Sequence, residues 1–253
     1  RLASGKKVNS ALDNPTNFFT AASLNSRSND LGALLDGMSN GIKTLEAADN
    51  GLKSITKTVE SLQSAVRQAR QDKSWKGESL AFTQNASAST ISFLGGSATA
   101  AGVTTPVSVT FAANATVDDV VSAVNNNSSL SGKVRASNDN GKLRIENLST
   151  TELVVSEDSG SLSAGATIGG NTVRADLVKQ FNDLRQQLDR TAEDASFNGI
   201  NLLRGDSLAI TFNETGSSSL TIQSKGGTAI NSTNLGIDAQ ATTVADSDSG
   251  LDA

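Results

Sequence analysis

The sequence predicts an α+β protein: a long antiparallel helical hairpin, coiled-coil-like and rod-forming, with a β-hairpin, plus a small α+β domain inserted between the two helices. Three observations carry this reading. Apolar side chains recur every three or four positions over residues 38–69. From about 81 to 170 the text turns rich in Ser, Thr, Asn, Gly and Val, with short alternating segments. Helical periodicity then returns over 171–195. The expected organisation is a discontinuous core of residues 1–80 and 171–253 around an insert of residues 81–170.

Composition narrows the function classes. A chain of 253 residues with 36% hydrophobic side chains can bury a genuine core, and with 4% aromatics that core must be mostly aliphatic. The chain has neither Cys nor His, which removes disulfide scaffolds, thiolate zinc sites, His-ligated metals and the Ser-His-Asp triad. No cofactor, metal or enzymatic role is expected. With 21 basic against 26 acidic residues the net charge is −5, the wrong sign for holding nucleic-acid phosphates. No apolar run reaches the roughly 18 residues of a membrane span. The opening Arg1-Leu2-Ala3-Ser4-Gly5-Lys6-Lys7 lacks the apolar stretch of a secretory signal. Starting on Arg, the chain reads as truncated or processed.

The first helix is expected over about 20–71. Its seam runs through Met38, Ile42, Leu45, Ala48, Leu52, Ile55, Val59, Leu62, Val66 and Ala69, a repeat near 3.5 that is typical of coiled coils. Gly32, Gly37, Gly41 and Gly51 each cost about 1 kcal/mol relative to Ala, so this helix needs partners. A second helix over 172–195 supplies one, with Leu177, Phe181, Leu184 and Leu188 as a similar seam and Asn198-Gly199 as the turn beyond it. Two narrow seams leave an apolar edge for a third helix, which points to self-association or to a further segment.

In the insert, Val107, Val109 and Phe111 alternate with Ser108 and Thr110 as a strand. Thr116 and Asp119 cap a short helix carrying Val117, Val120, Val121 and Val124. Asn140-Gly141 joins two strands in a type I′ hairpin, and Leu153-Val154-Val155 is a further strand. Beyond residue 200, Leu208, Ile210 and Phe212 pair back onto Leu220 and Ile222 across Glu214-Thr215-Gly216. The acidic tail, about 239–253, reads as disordered.

The flanking segments resemble bacterial flagellin. RLASGKKVNSALDN (1–14) is similar to the family's RLSSGLRINSAKDD, and SNGIKTLEAADNGLKSITKTVESLQSAVRQA (39–69) to its first core helix. SFNGINLL (196–203) is similar to the QFNGxxLL turn; LAITFNETGSSSLTIQ (208–223) and NLGID (234–238) are similar to the core hairpin and the LGLD stretch. The insert's NATVDDVVSAVNNN (114–127) resembles a small repeat of flagellins and hook-associated proteins. The resemblance implies a structural, self-assembling subunit of the flagellar filament, exported without a cleaved signal peptide and acting outside the cell. Other flagellin subunits, an export chaperone and cap or hook-associated proteins are the implied partners. It also implies that both tube-forming ends are missing here, and that Arg1, Leu2, Ser4, Gly5, Asn9 and Asp13 belong to an assembly connector.

Other readings compete. A hook–filament junction protein is the alternative within the same machine. A cell-surface adhesin or glycan-binding receptor is the alternative outside it, acting through a basic patch of Lys133, Arg135, Lys142 and Arg144 on the insert, with a surface polysaccharide as ligand. The acidic groups Asp118-Asp119, Asp139-Asn140-Gly141 and Glu157-Asp158 lack the spaced ligands of a calcium loop. LGGSATAAG (94–102) lacks the phosphate-loop Lys and reads as a linker. Trp75 is expected to plug the end of the helix pair.

Overall fold

The computed structural model describes residues 10–12, 14–95, 105–158, 160–242 and 251. In chain order its main elements are α1 (Pro15–Gln71), β1 (Lys76–Leu80), β2 (Ser89–Gly95), β3 (Val107–Phe111), α2 (Val117–Asn125), β4 (Val134–Asp139), β5 (Lys142–Asn147), β6 (Leu153–Glu157), β7 (Ala166–Ile168), α3 (Thr172–Asp194), β8 (Ser207–Thr211) and β9 (Ser219–Gln223). The class is α+β, with every strand pair antiparallel. Two compact units result: residues 1–57 with 187–237, and residues 58–186 with 238–253. The division falls inside both long helices, away from the texture changes near 80 and 170.

α1 is one helix of 57 residues, about 86 Å long at 1.5 Å per residue. It begins earlier than its apolar pattern, at a signal in Asn14-Pro15. Asn14 Oδ1 accepts the Asn17 N–H at 3.1 Å, and Pro15 sits in the first turn, where an N–H has no helical partner. At the other end Asp72 folds back on Ser74, accepting its N–H at 3.1 Å and its hydroxyl at 2.9 Å.

In the first unit the buried row of α1 is Gly41, Thr44, Ala48, Gly51 and Ile55. This corrects the expected seam in part, since Ala48 and Ile55 belong to both. Ile42 and Leu52 lie outside it, 57% and 41% exposed, and Leu45 is half-buried. Close approach selects the small residues. A Cβ on Gly51 would stand 2.6 Å from the Ala195 Cβ and 2.7 Å from Leu203 Cδ1, and one on Gly41 would stand 2.7 Å from Ile210 Cδ1. Leu208 and Ile210 of β8 are buried, Phe212 and Leu220 exposed.

Asn201 organises the turn after α3. Its Nδ2 donates to the Ala192 and Glu193 carbonyls, both at 2.8 Å, which would otherwise end α3 unsatisfied. Its Oδ1 accepts the N–H groups of Leu203 and Arg204, starting the short 3-10 turn Leu202–Arg204. Asn198 and Gly199 both adopt positive φ, 49° and 80°, as the expected turn requires.

The second unit holds two sheets, ordered β1-β5-β4 and β3-β2-β6-β7. Their inner faces and α2 close one core, in which Ile91, Phe93, Val120, Val124, Leu130, Leu143 and Ile145 are fully buried. Thr116 and Asp119 form the expected capping box of α2. Asn140 and Gly141, at φ 51° and 84°, turn β4 into β5 with Asp139 opposite Lys142. β1, β2 and β7 are additions to the sequence reading. Here the α1 row continues through Thr58, Leu62, Ala65 and Ala69, all buried, with Val59 and Val66 half-buried beside it. Ala69 packs with Val178 and Leu251. The described part of the tail is therefore held: Leu251 is buried, and Asn182 exchanges two hydrogen bonds with Gln240.

Candidate interaction surfaces

In the first unit, α1 carries a second apolar feature on the face turned from its buried row. Leu24, Leu31, Leu35 and Ile42 are 61%, 49%, 64% and 57% exposed. At about 100° per residue these four fall within roughly 40° of one another, a ridge about 27 Å long. Leu24 and Leu31 also open a strict seven-residue series continued by Met38, Leu45, Leu52, Val59 and Val66. A seven-residue apolar series on a helix is the pattern that receives another helix lengthwise. Isolated exposed leucines need no explanation, but four on one line form a patch that does.

A groove of about 480 Å³ lies elsewhere on this unit, between α1 and the β8–β9 hairpin, lined by Ala33, Leu34, Gly37, Ile210, Thr211 and Glu214 among others. Arg27 Nε donates to Glu214 Oε1 at 2.8 Å across it. The pair is largely solvated, so it fixes geometry more than it adds stability.

In the second unit the candidate glycan patch is placed by the β4–β5 register. Arg135 faces Glu146, Ser137 faces Arg144 and Asp139 faces Lys142, all on the outer side. Lys133 precedes β4. Three of the four cations thus share a face, but not as free positive charge. Arg135 and Arg144 both pair with Glu146, and Lys142 stands opposite Asp139. Burial alone would raise the Glu146 pKa; the hydrogen bond and charge of Arg135, then those of Arg144, outweigh it and hold the carboxyl below its ordinary value. Two carboxylates, Glu146 and Asp139, thus stand among the three cations of this face and neutralise part of its positive charge.

The ends of the helix pair meet in the same unit. Asn171 caps α3 by accepting the Arg174 N–H at 3.1 Å and donates to Asp72 Oδ1 at 2.6 Å. Trp75 lies under the buried Arg174 guanidinium, 4.7 Å from ring centroid to Cζ, the end-plug expected of it. Burial pushes the Asp72 pKa up, but the hydrogen bonds from Asn171 and Ser74 and the Arg174 charge together leave it lowered. The Thr116 hydroxyl and N–H lower Asp119 directly.

Of the other expected site residues, Arg1, Leu2, Ser4, Gly5, Asn9 and Asp13 lie outside those described. Ile55 and Leu62 on α1 and Leu188 on α3 are buried, whereas Leu177, Phe181 and Leu184 are half-buried. Among the described residues no group of three or more acidic side chains is placed to hold a metal. No described helix is long and apolar enough to cross a membrane. What sequence reasoning missed is the exposed ridge, although the spacing of Leu24, Leu31, Leu35 and Ile42 already sets them on one face.

Residues 1–87, about a third of the chain, match the family model described as the bacterial flagellin N-terminal helical region. No curated protein and no solved structure matches the chain.

Proposed function

We propose that this chain is a flagellin-type structural subunit that self-assembles with other copies into the extracellular flagellar filament, for motility rather than catalysis. The match over residues 1–87 supports the family, and the apolar ridge Leu24–Leu31–Leu35–Ile42 is the observation that carries the assembly reading. A 57-residue helix that buries one row from Gly41 onward and leaves a line of leucines exposed ahead of it offers a further apolar surface for packing. In the assembled state another helix covers the ridge, burying it at about 25 cal/mol per Å² of apolar surface. The connector Arg1–Asp13 and the polar faces of α1 complete the subunit contacts. The insert, spanning roughly 81–170, projects as the outer domain. An export chaperone holds the chain before assembly, and cap and hook-associated proteins meet it in the filament.

Immunogold labelling with antibody against the insert, on the cells that make the protein, tests this. Label along the whole filament is expected. Label confined to the hook–filament boundary would move the chain to the junction proteins, and label on the cell body to the adhesins.

A further inference from the structure

Sheet edges are the places where one chain can add backbone hydrogen bonds to another, and natural proteins guard them with charge, proline or brevity. Three of the four outermost strands in the second unit are guarded. β1 carries Lys76 and Glu78, β4 carries Arg135 and Asp139, and β7 is three residues long. β3 (Val107-Ser108-Val109-Thr110-Phe111) is different: five residues with no charge and no proline, and no described strand on the side away from β2. Its inner side chains Val109 and Phe111 are buried, so register and facing are fixed. On its outer side Thr110 pairs with Thr90 at 3.1 Å and Ser108 with Ser92 at 3.0 Å, hydroxyl to hydroxyl.

From this geometry we infer that β3 is a docking edge for β3 of a second copy of this chain, joining two inserted domains through one continuous antiparallel sheet. The strand is complementary to itself. Centred on Val109, antiparallel pairing sets Ser108 opposite Thr110 of the partner copy and Val107 opposite its Phe111. The hydroxyl rows therefore continue from Thr90 and Ser92 across the junction, and the apolar positions meet on the inner side. With no charge on either strand, nothing repels at the seam and no charge is desolvated there. The contact is much smaller than the 1,200–2,000 Å² or so of a standard stable interface, so it forms a weak, reversible pair that a filament's packed copies would reinforce by proximity. It does not depend on the filament reading: the helical ridge takes no part in it.

The absence of cysteine makes the test clean. Full-length S108C/T110C is oxidised at high protein concentration, beside S156C on the interior strand β6 as control. A disulfide-linked dimer is expected for the first and none for the second. Sedimentation supplies the second readout: the native chain should associate at millimolar concentration, S108K/T110K should stay monomeric with unchanged circular dichroism, and L31S/L35S should associate like the native chain. A native chain that stays monomeric there, association undiminished in S108K/T110K, or equal cross-linking of the control would each overturn the proposal. Loss of association in L31S/L35S alone would assign the contact to the helix and overturn it too.

Discussion

The two sheets of the second unit and the first half of α1 use apolar residues in opposite ways. In the insert, Ile91, Phe93, Leu143 and Ile145 point into a shared core and none is accessible; each strand's polar alternates face out. In α1, Leu24, Leu31 and Leu35 are as large and as apolar, yet all three are exposed. The two sheets complete their burial within their own unit. The helix completes only the side where Gly41, Gly51 and their small neighbours admit β8 and the Asn201 turn. That difference separates a domain that buries its large apolar residues from an element that leaves some of its own exposed, the feature on which the proposed assembly rests.

Substitutions can break this contrast, beginning with the insert. Phe93→Ala should cost about 3–5 kcal/mol of stability, because a fully buried ring leaves a cavity that strands on both sides cannot fill. Denaturant unfolding followed by the single Trp75, in the same unit, would show the drop. Asn201→Ala comes next, at roughly 2 kcal/mol, since it strips the Ala192 and Glu193 carbonyls of their donor and two N–H groups of their acceptor. Calorimetry should register it as a lower Tm for the first unit, and an unchanged Tm would remove Asn201 from its organising place.

Acid probes the second unit more gently. Asp72, Asp119 and Glu146 all have carboxyls held below their ordinary values. The unfolded chain therefore takes up protons first as pH falls. The stabilisation from these groups is complete above the usual carboxylate range and is lost below about pH 4, as pH drops through the lowered folded values. D72N should flatten this acid limb of the stability curve; a limb of unchanged steepness would show that the Asn171–Asp72 link contributes little. The smallest stability effect belongs to the ridge. Leu35→Ser should change unfolding free energy by no more than about 0.5 kcal/mol, as at other exposed sites, and still impair filament growth. A large loss of monomer stability would mean that the ridge is covered within the chain.

Much of this was legible in the residues. The helix pair, the capped α2, the Asn140-Gly141 hairpin and the β8–β9 hairpin all follow from period, caps and turn chemistry. The facing of α1 was legible in part: Ala48, Ile55, Leu62 and Ala69 of the expected seam are buried, but Gly41, Thr44, Gly51, Thr58 and Ala65, which a search for large apolar side chains passes over, complete the row. β1 was not legible, since its Lys76-Gly77-Glu78-Ser79-Leu80 has one core residue, Leu80, and borrows its register from β5. β2 did carry an alternating signal in Ile91 and Phe93, hidden by the Ser- and Thr-rich text around it. The tail's acidity suggested disorder, but among its described residues Leu251 is buried and Gln240 is bonded to Asn182. The pairing inside the basic patch was missed because Glu146, two residues from Arg144 and opposite Arg135, was not weighed with its neighbours.

The central claim, that the leucine ridge is a covered face in the assembled state, is most directly tested by thiol labelling of L35C. In the isolated chain the new cysteine should react with a maleimide as fast as S137C on the insert's outer face. In assembled filaments it should be protected while S137C still reacts. Equal reactivity of L35C in filament and isolated chain would contradict the account.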